Sequence, residues 1–375
     1  MPEVIVIGAG PVGLLLAAEL NSRGIGVELL ESREQAGPGS RAIGIHPPTL
    51  AALESSGITD QLLQHAVRVG RGEARSQGRL LGAVGFNELR TRFPFVATLP
   101  QETTEQILTA AAPAAQRGVT VAGISQSEHQ VQLQTSAGER GAPIVVIAGG
   151  ARSRSLVYRE PQARSYPDRY LMVDAPVAAE DDTSTAVIHL DEGGVLESFP
   201  LPGGRRRFVT WDSPEADKDP AAQHSRMERA LAVHGQPLEG TPARFAVRGF
   251  GVRRFVAPSL RNGRVVVIGD AAHEVSPIGG QGMNLGLLDA ATLAPLLSEW
   301  VRSGHAPETQ LRHWERARVS SARRAASMAG LNTRLGRAAS PGLNTLRSNL
   351  VQLMLGPGPG RLLTRAYAMG FDHHA

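Results

Sequence analysis

The chain has 375 residues, 42% hydrophobic and 20% charged, which suits a globular protein and excludes wholesale disorder. Its 39 basic and 35 acidic residues leave only +4, with no Lys/Arg block interleaved with aromatics, and this speaks against nucleic-acid binding. Cysteine is absent, which removes disulfides, thiolate metal sites and cysteine nucleophiles and fits a cytoplasmic protein.

The length exceeds one compact core, so two domains and a terminal appendage are expected. MPEVIVIGAG has no basic n-region and reads as the start of a fold, not a signal peptide. No apolar run approaches the ~18 residues of a membrane span. Val4–Ile7 has the texture of a buried parallel strand; LLLAAELNSRG follows as a helix closed by Gly24, and Val27–Leu30 is the next strand, ending at Glu31. Together they form a βαβ unit. Pro47–Ser55 and Ile58–Val67 read as helices, and Arg71–Phe95 as irregular or β. Thr103–Arg117 has a helical pattern with Thr103 or Thr104 as its N-cap. VTVAGI, QVQLQT and PIVVIA are three short strands. From about Tyr166 to Phe250 the texture changes. AVIHL, VLESFPL and RRFVTW alternate in period two around the turns DEGG and PGG, which predicts an antiparallel sheet. Val265–Ile268 returns to buried-strand texture and Asn284–Val301 is helical, so the first domain is interrupted and then resumed. The tail after Gly304 reads as helical and broken by PGPG at 357–360, and His373 and His374 as a solvated end.

Gly8, Gly10 and Gly13 form G-x-G-x-x-G between strand and helix. The first permits the tight turn, the second lets backbone approach a pyrophosphate, and the third lets helix and strand pack closely. The phosphate then meets the helix N-terminus. Glu31 stands at the spacing of about 20 residues suited to a ribose 2′-hydroxyl. No Gly-Lys-Ser/Thr follows, which excludes a P-loop. These residues do not separate NAD from FAD, but GDAAHEVSPIGGQGMNLGLLDA, Gly269–Ala290, does. Asp270 lies at the carboxyl edge of a sheet, where it can accept hydrogen bonds from a sugar or polyol. GGQGMN then opens a helix whose bare N–H groups favour the negative charge of a reduced flavin ring. His273, inside this stretch, reads as structural.

The same stretch resembles the second FAD motif of the class A flavoprotein monooxygenases, the aromatic hydroxylases, and GAGPVG with Glu31 resembles their first. SRAIGIHPPTLAAL and LPQETTEQIL resemble the segments between. The resemblance runs from residue 1 to about 300. It implies that Arg41 and Gln101 touch FAD, that Arg33 lies near the adenosine, and that Pro277, Gly279, Gly280, Gly282 and Met283 lie along the flavin ring. The implied fold is α/β: a Rossmann-like FAD-binding domain (1–70, 96–165 and 251–304), an inserted antiparallel-sheet substrate domain (71–95 and 166–250) and a helical C-terminal segment (305–375). One position departs. Where the family carries Asp-Gly, this chain has Gly149-Gly150.

The activity implied is hydroxylation of a hydrophobic, aromatic or polyketide-like small molecule with O2, through a C4a-hydroperoxyflavin, with NADH or NADPH as transient reductant. Epoxidation and Baeyer–Villiger insertion use the same class of intermediate. Gly149 motivates a rival, a redox-silent cyclase that keeps FAD as scaffold; a non-catalytic binding protein is the other. No catalytic side chain and no metal site stands out. In the inserted sheet His189, Phe199 and Trp211 are candidates for a pocket lining.

Overall fold

The computed structural model describes residues 1–35, 42–159, 163–177, 184–234, 246–356 and 358–369. Val4–Ile7 is fully buried near the middle of a six-stranded sheet. The strand order is Arg261–Asn262, Val265–Val267, Ile144–Ile147, Val4–Ile7, Val27–Glu31, Gln116–Arg117, parallel throughout except at the Arg261–Asn262 edge. Burial on both faces explains the unbroken Val/Ile runs. Helix Pro11–Ser22 lies on this sheet against helix Gly282–Ser303. Gly24 follows its C-cap at φ +75, the left-handed conformation that glycine adopts without strain.

A second sheet has eight strands, in the order His273–Glu274, Arg248–Val256, Arg164–Pro176, Arg205–Asp212, Gly194–Leu201, Thr185–Asp191, Arg71–Ser76, Arg79–Gly85. It is antiparallel but for one pair, Thr185–Asp191 with Arg71–Ser76, because the latter strand arrives from the first unit and not through a hairpin. Gly203 and Gly204 hold the PGG turn at φ +75 and +64. Opposed residues share a face, so the register fixes what each side carries. Tyr170, Met172, Val195 and Val209 form an inner face with Ile278 of the second glycine motif. Leu171, Val173, Leu196 and Phe208 form an outer face under Met227 and Leu231 of helix Pro220–Val233. The sequence reading lacked that helix. Its signal is Asp219-Pro220: the Asp219 carboxylate accepts from Ala221 N and Ala222 N, and proline stands at the first helical position.

Three other boundaries differ from expectation. The helix placed at Thr103–Arg117 spans Gln101–Ala111, with Pro100 at its N-cap and neither threonine capping it. Pro113 forbids its continuation, and Gln116–Arg117 becomes an edge strand. Helix Ile58–Gln64 stops short of Val67, which starts strand Val67–Val69. Helix Pro47–Ala52 ends three residues before Ser55. The tail is helical, as Glu308–Leu335, Pro341–Met354 and Pro359–Tyr367. His373 and His374 lie outside the described residues. Among those described, no helix is long and apolar enough to cross a membrane.

The two sheets meet at the second glycine motif, where Glu274 pairs with Phe255 and His273 with Val256. One buried carboxylate fixes this joint. Asp289, on helix Gly282–Ser303, accepts from Gly269 N at 3.0 Å and Arg318 Nε at 2.8 Å, and pairs with His273 Nε2 at 2.6 Å. Burial pushes its pKa up, but His273 and Arg318 outweigh this and hold it below the ordinary value. We expect Asp289→Ala to destabilise the fold by about 3–5 kcal/mol, because Arg318 and His273 lose the carboxylate that they share. A carboxyl held low contributes stability above its ordinary pKa and loses it as pH falls through the folded value. The gap between native protein and variant in urea unfolding should therefore shrink on acidification; equal midpoints at pH 7 would contradict the assignment.

Candidate cofactor and substrate site

The first glycine motif is shaped by contact. Gly8 has φ +108, and a Cβ there would lie 2.5 Å from Gly149 Cα. A Cβ on Gly13 would collide with the Gly8 carbonyl. A Cβ on Gly10 would meet nothing within 4 Å, so this glycine borders open space at the start of helix Pro11–Ser22. That helix has no side-chain cap and no acidic residue in its first turn, so its N–H groups suit an anion. Glu31 accepts from Ala9 N at 2.8 Å, Arg33 N at 2.9 Å and Arg33 Nε at 3.1 Å. Burial raises its pKa, but these hydrogen bonds, led by the Arg33 side chain, bring it down to about 2. Gln101 opens helix Gln101–Ala111 and donates to Glu105 at 2.7 Å. Arg41 lies outside the described residues.

Val12 joins the two motifs. A Cβ on Gly286 would come within 2.5 Å of Val12 Cγ2, and one on Gly269 within 3.3 Å of the same side chain. Two glycines of the second motif thus admit a side chain of the first. Asp270 is exposed beside this contact, and its carbonyl accepts from Arg154 Nη2 at 2.5 Å. Arg154 also pairs with Glu274 at 2.8 Å and lies 4.3 Å above the Phe255 ring. The sequence reading passed over Arg154, although it stands in the AGGARSRS cluster. At Gly149 a Cβ would come 3.0 Å from Ser153 Cβ, so an aspartate there needs Ser153 to move.

Next along the motif, Pro277 O accepts from Gly280 N at 2.9 Å, and Gly279 and Gly280 have φ +101 and +68. Asn284, fully buried, braces this loop: it accepts from His46 N and donates to Gly44 O and Gly280 O. His46 is buried between the Gly280 and Tyr367 carbonyls, and burial lowers its pKa to about 4, so it is neutral at pH 7. Gln281 donates to Ala366 O at 3.1 Å, which ties the last helix to the loop. Gly282 and Met283, both partly buried, open a second helix without side-chain cap or acidic first turn.

The three pocket candidates do not share a surface. Phe199 and Trp211 are on the inner face, Trp211 donating to Asp168 Oδ1 at 3.2 Å. His189 opposes Leu196 on the outer face, because the register turns it away from the loop. There His189, Asp191 and His234 bring their ligand-type atoms within 4.8 Å, the group among the described residues that could hold a metal ion. Burial lowers the pKa of both imidazoles, and His234 Nε2 lies 3.4 Å from Asp191.

Two uncapped helix N-termini, brought together by Val12, with glycines where backbone must approach a ligand, define a dinucleotide-type flavin cradle. The chain belongs to the FAD-binding domain family, which it matches over residues 1–329, and its cofactor is FAD. It is 32% identical to the 6-methylpretetramide 4-monooxygenase of Streptomyces rimosus, covering 92% of this chain and 66% of that protein. It is 31% identical to the rifampicin monooxygenase of Streptomyces venezuelae, covering 82% and 66%. The chain thus spans about two thirds of the length of these relatives. The p-nitrophenol 4-monooxygenase from Pseudomonas putida DLL-E4 has the same fold, with TM-score 0.87 over 99% of this chain and 98% of that one at 24% identity.

Two substitutions separate packing from ligand contact. Gly10→Ala should leave the melting temperature of the flavin-free protein unchanged while weakening FAD binding by about tenfold or more, the worth of one lost charge-assisted hydrogen bond. Gly13→Ala should lower that melting temperature itself. Asp270→Ala should purify with less flavin by absorbance, and full flavin content would remove Asp270 from the site.

Proposed function

We propose that the protein is an FAD-dependent monooxygenase acting on a hydrophobic, aromatic or polyketide-like small molecule, with a nicotinamide donor and O2. The observation that carries this reading is the placement of the Pro277–Gly280 loop under the apolar inner face of the second sheet, through Ile278. A ring system on the loop then has an apolar chamber above it. The relatives' names, which give 6-methylpretetramide, rifampicin and para-nitrophenol as substrates, support the same class.

In this reading Gly8, Gly10 and Gly13 receive the pyrophosphate at the first helix N-terminus. Glu31 and Arg33 face the adenosine half, and Arg41 and Gln101 take the contacts that the family resemblance implies. Asp270 holds the ribityl chain. Pro277, Gly279, Gly280, Gly282 and Met283 line the ring, with the second helix N-terminus toward its anionic edge. When bound, FAD supplies hydride acceptance and O2 activation. The chain supplies position, fixed dipoles and exclusion of water. His46 and Asn284 hold the loop, and Tyr367 and Ala366 cover it from the last helix. Neutral His46 keeps the ring end free of a fixed cation at pH 7.

The deciding experiment mixes the yellow holoprotein with NADH or NADPH and a phenolic substrate under 18O2. Flavin bleaching and a product heavier by one 18O atom are expected. A flavin that neither nicotinamide bleaches would replace this reading with the FAD-scaffolded cyclase.

A further inference from the structure

Glu197 sits in the middle of strand Gly194–Leu201, opposite Ile188 on one side and Val209 on the other, and Val209 opposes Met172. One carboxyl thus shares a rung of the inner face with three apolar side chains. It is 5% exposed, and its pKa is raised to about 8 by burial alone. A leucine would fill this rung without the cost of burying an ionisable group. Tyr170, two residues before Met172 on the same face, is fully buried, with its hydroxyl beside Thr333. Tyr170 and Tyr367 both feel the charge of Glu197. The carboxyl therefore faces the region between the sheet, the Ile278 loop and the last helix. Buried polar groups in native proteins are almost always hydrogen-bonded, so a carboxyl set among Ile188, Val209 and Met172 calls for a polar partner.

Arg248 opposes Met172 at the exposed edge of this face, and two other arginines of the face are paired with carboxylates. Arg207 pairs with Asp174 at 2.6 Å one rung along, and Arg337 pairs with Asp168 at 2.8 Å near Trp211. Burial raises the pKa of Tyr170 and Tyr367, so both stay neutral at ordinary pH.

We propose that Glu197 is a specificity-determining residue whose carboxyl accepts the O–H of a phenolic or enolic substrate in the chamber above the flavin loop. This rests on the aromatic-substrate reading above. A site that hydrogen-bonds a hydroxyl discriminates against the analogue lacking it, because the buried partner is then left unpaired. The carboxylate form is the stronger acceptor, so discrimination should grow as pH rises through about 8.

The test titrates the holoprotein with p-cresol and with its methyl ether, reading flavin absorbance and fluorescence. p-Cresol is the phenol of tyrosine and remains mostly neutral up to pH 9. The native protein should prefer p-cresol by about tenfold or more, increasingly from pH 7 to 9. Glu197→Leu should abolish the preference while melting no lower than the native protein. Glu197→Gln keeps the volume and an acceptor, so it should retain part of the preference and lose its pH dependence. That variant decides the matter should the leucine variant lose flavin. A native ratio in Glu197→Leu, or native pH dependence in Glu197→Gln, overturns the assignment. If the native protein binds both probes equally, Glu197 alone is dismissed; if it binds neither, the aromatic-substrate reading falls and this inference with it.

Discussion

Asp289 is the constraint from which the site follows. Its two oxygens hold the Gly269 amide, His273 and Arg318, and each belongs to a different structural task. Gly269 begins the turn that carries Asp270; His273 is the residue through which the second sheet meets the motif; Arg318 belongs to the long helix of the C-terminal segment. A buried carboxylate satisfied from three directions permits little displacement of any of them. Val12 then has one place to go, between Gly269 and Gly286, and this sets the first helix N-terminus relative to the second. The spacing of the two anion-friendly helix ends is thus a packing result, fixed by the absence of two side chains and the presence of one charge.

Electrostatics change character along the cradle. Beside the first glycine motif Glu31 is held ionised by Arg33 and by two backbone amides, a polar and partly exposed arrangement. Around the Pro277–Gly280 loop burial does the opposite. His46 is kept neutral and the Glu197 carboxyl is pushed up to about 8, so both lack charge in much of the population at pH 7. The gradient runs from solvated, paired charges to desolvated neutral groups. A cofactor with phosphates at one end and a flat, weakly polar ring at the other would suit such a gradient. The low-dielectric end is also where fixed helix dipoles act most strongly.

Features that depend on local chemistry were legible in the sequence. The glycine motifs, the hairpin turns at DEGG and PGG and the return of the chain to the first sheet at Val265 follow from backbone freedom and periodicity. What escaped depends on the opposite side of an element. In VLESFPL both faces of the strand are buried, so period two gives two sets of residues without saying which faces the cofactor. For that reason His189 seemed equivalent to Phe199 and Trp211, although it lies beneath helix Pro220–Val233. Glu197 was passed over for the same reason, yet it is the one carboxyl within an otherwise apolar alternating set, Val195, Glu197, Phe199. The helix after Pro100 shows a different failure. Its apolar spacing continues past Ala111, and only the missing amide of Pro113 ends it.

The last helix supplies what the Pro277–Gly280 loop lacks. Gly279 and Gly280 occupy left-handed backbone conformations, and a loop built on glycine has high conformational entropy when free. Asn284 binds it from below through Gly280 O, while the chain from 358 to 369 binds it from above. Gln281 reaches Ala366 O, the His46 ring packs between Gly280 and Tyr367, and Met369 is buried against Val275, Leu285 and Ala325. Tyr367 in turn donates to Asn332 of the long helix at 2.8 Å, whose partner helix carries Asp289. The loop is therefore clamped between two helices that are themselves locked by the buried carboxylate. Rigidity at this loop is imported from packing some distance away, through C-terminal helices that no motif in the sequence distinguishes.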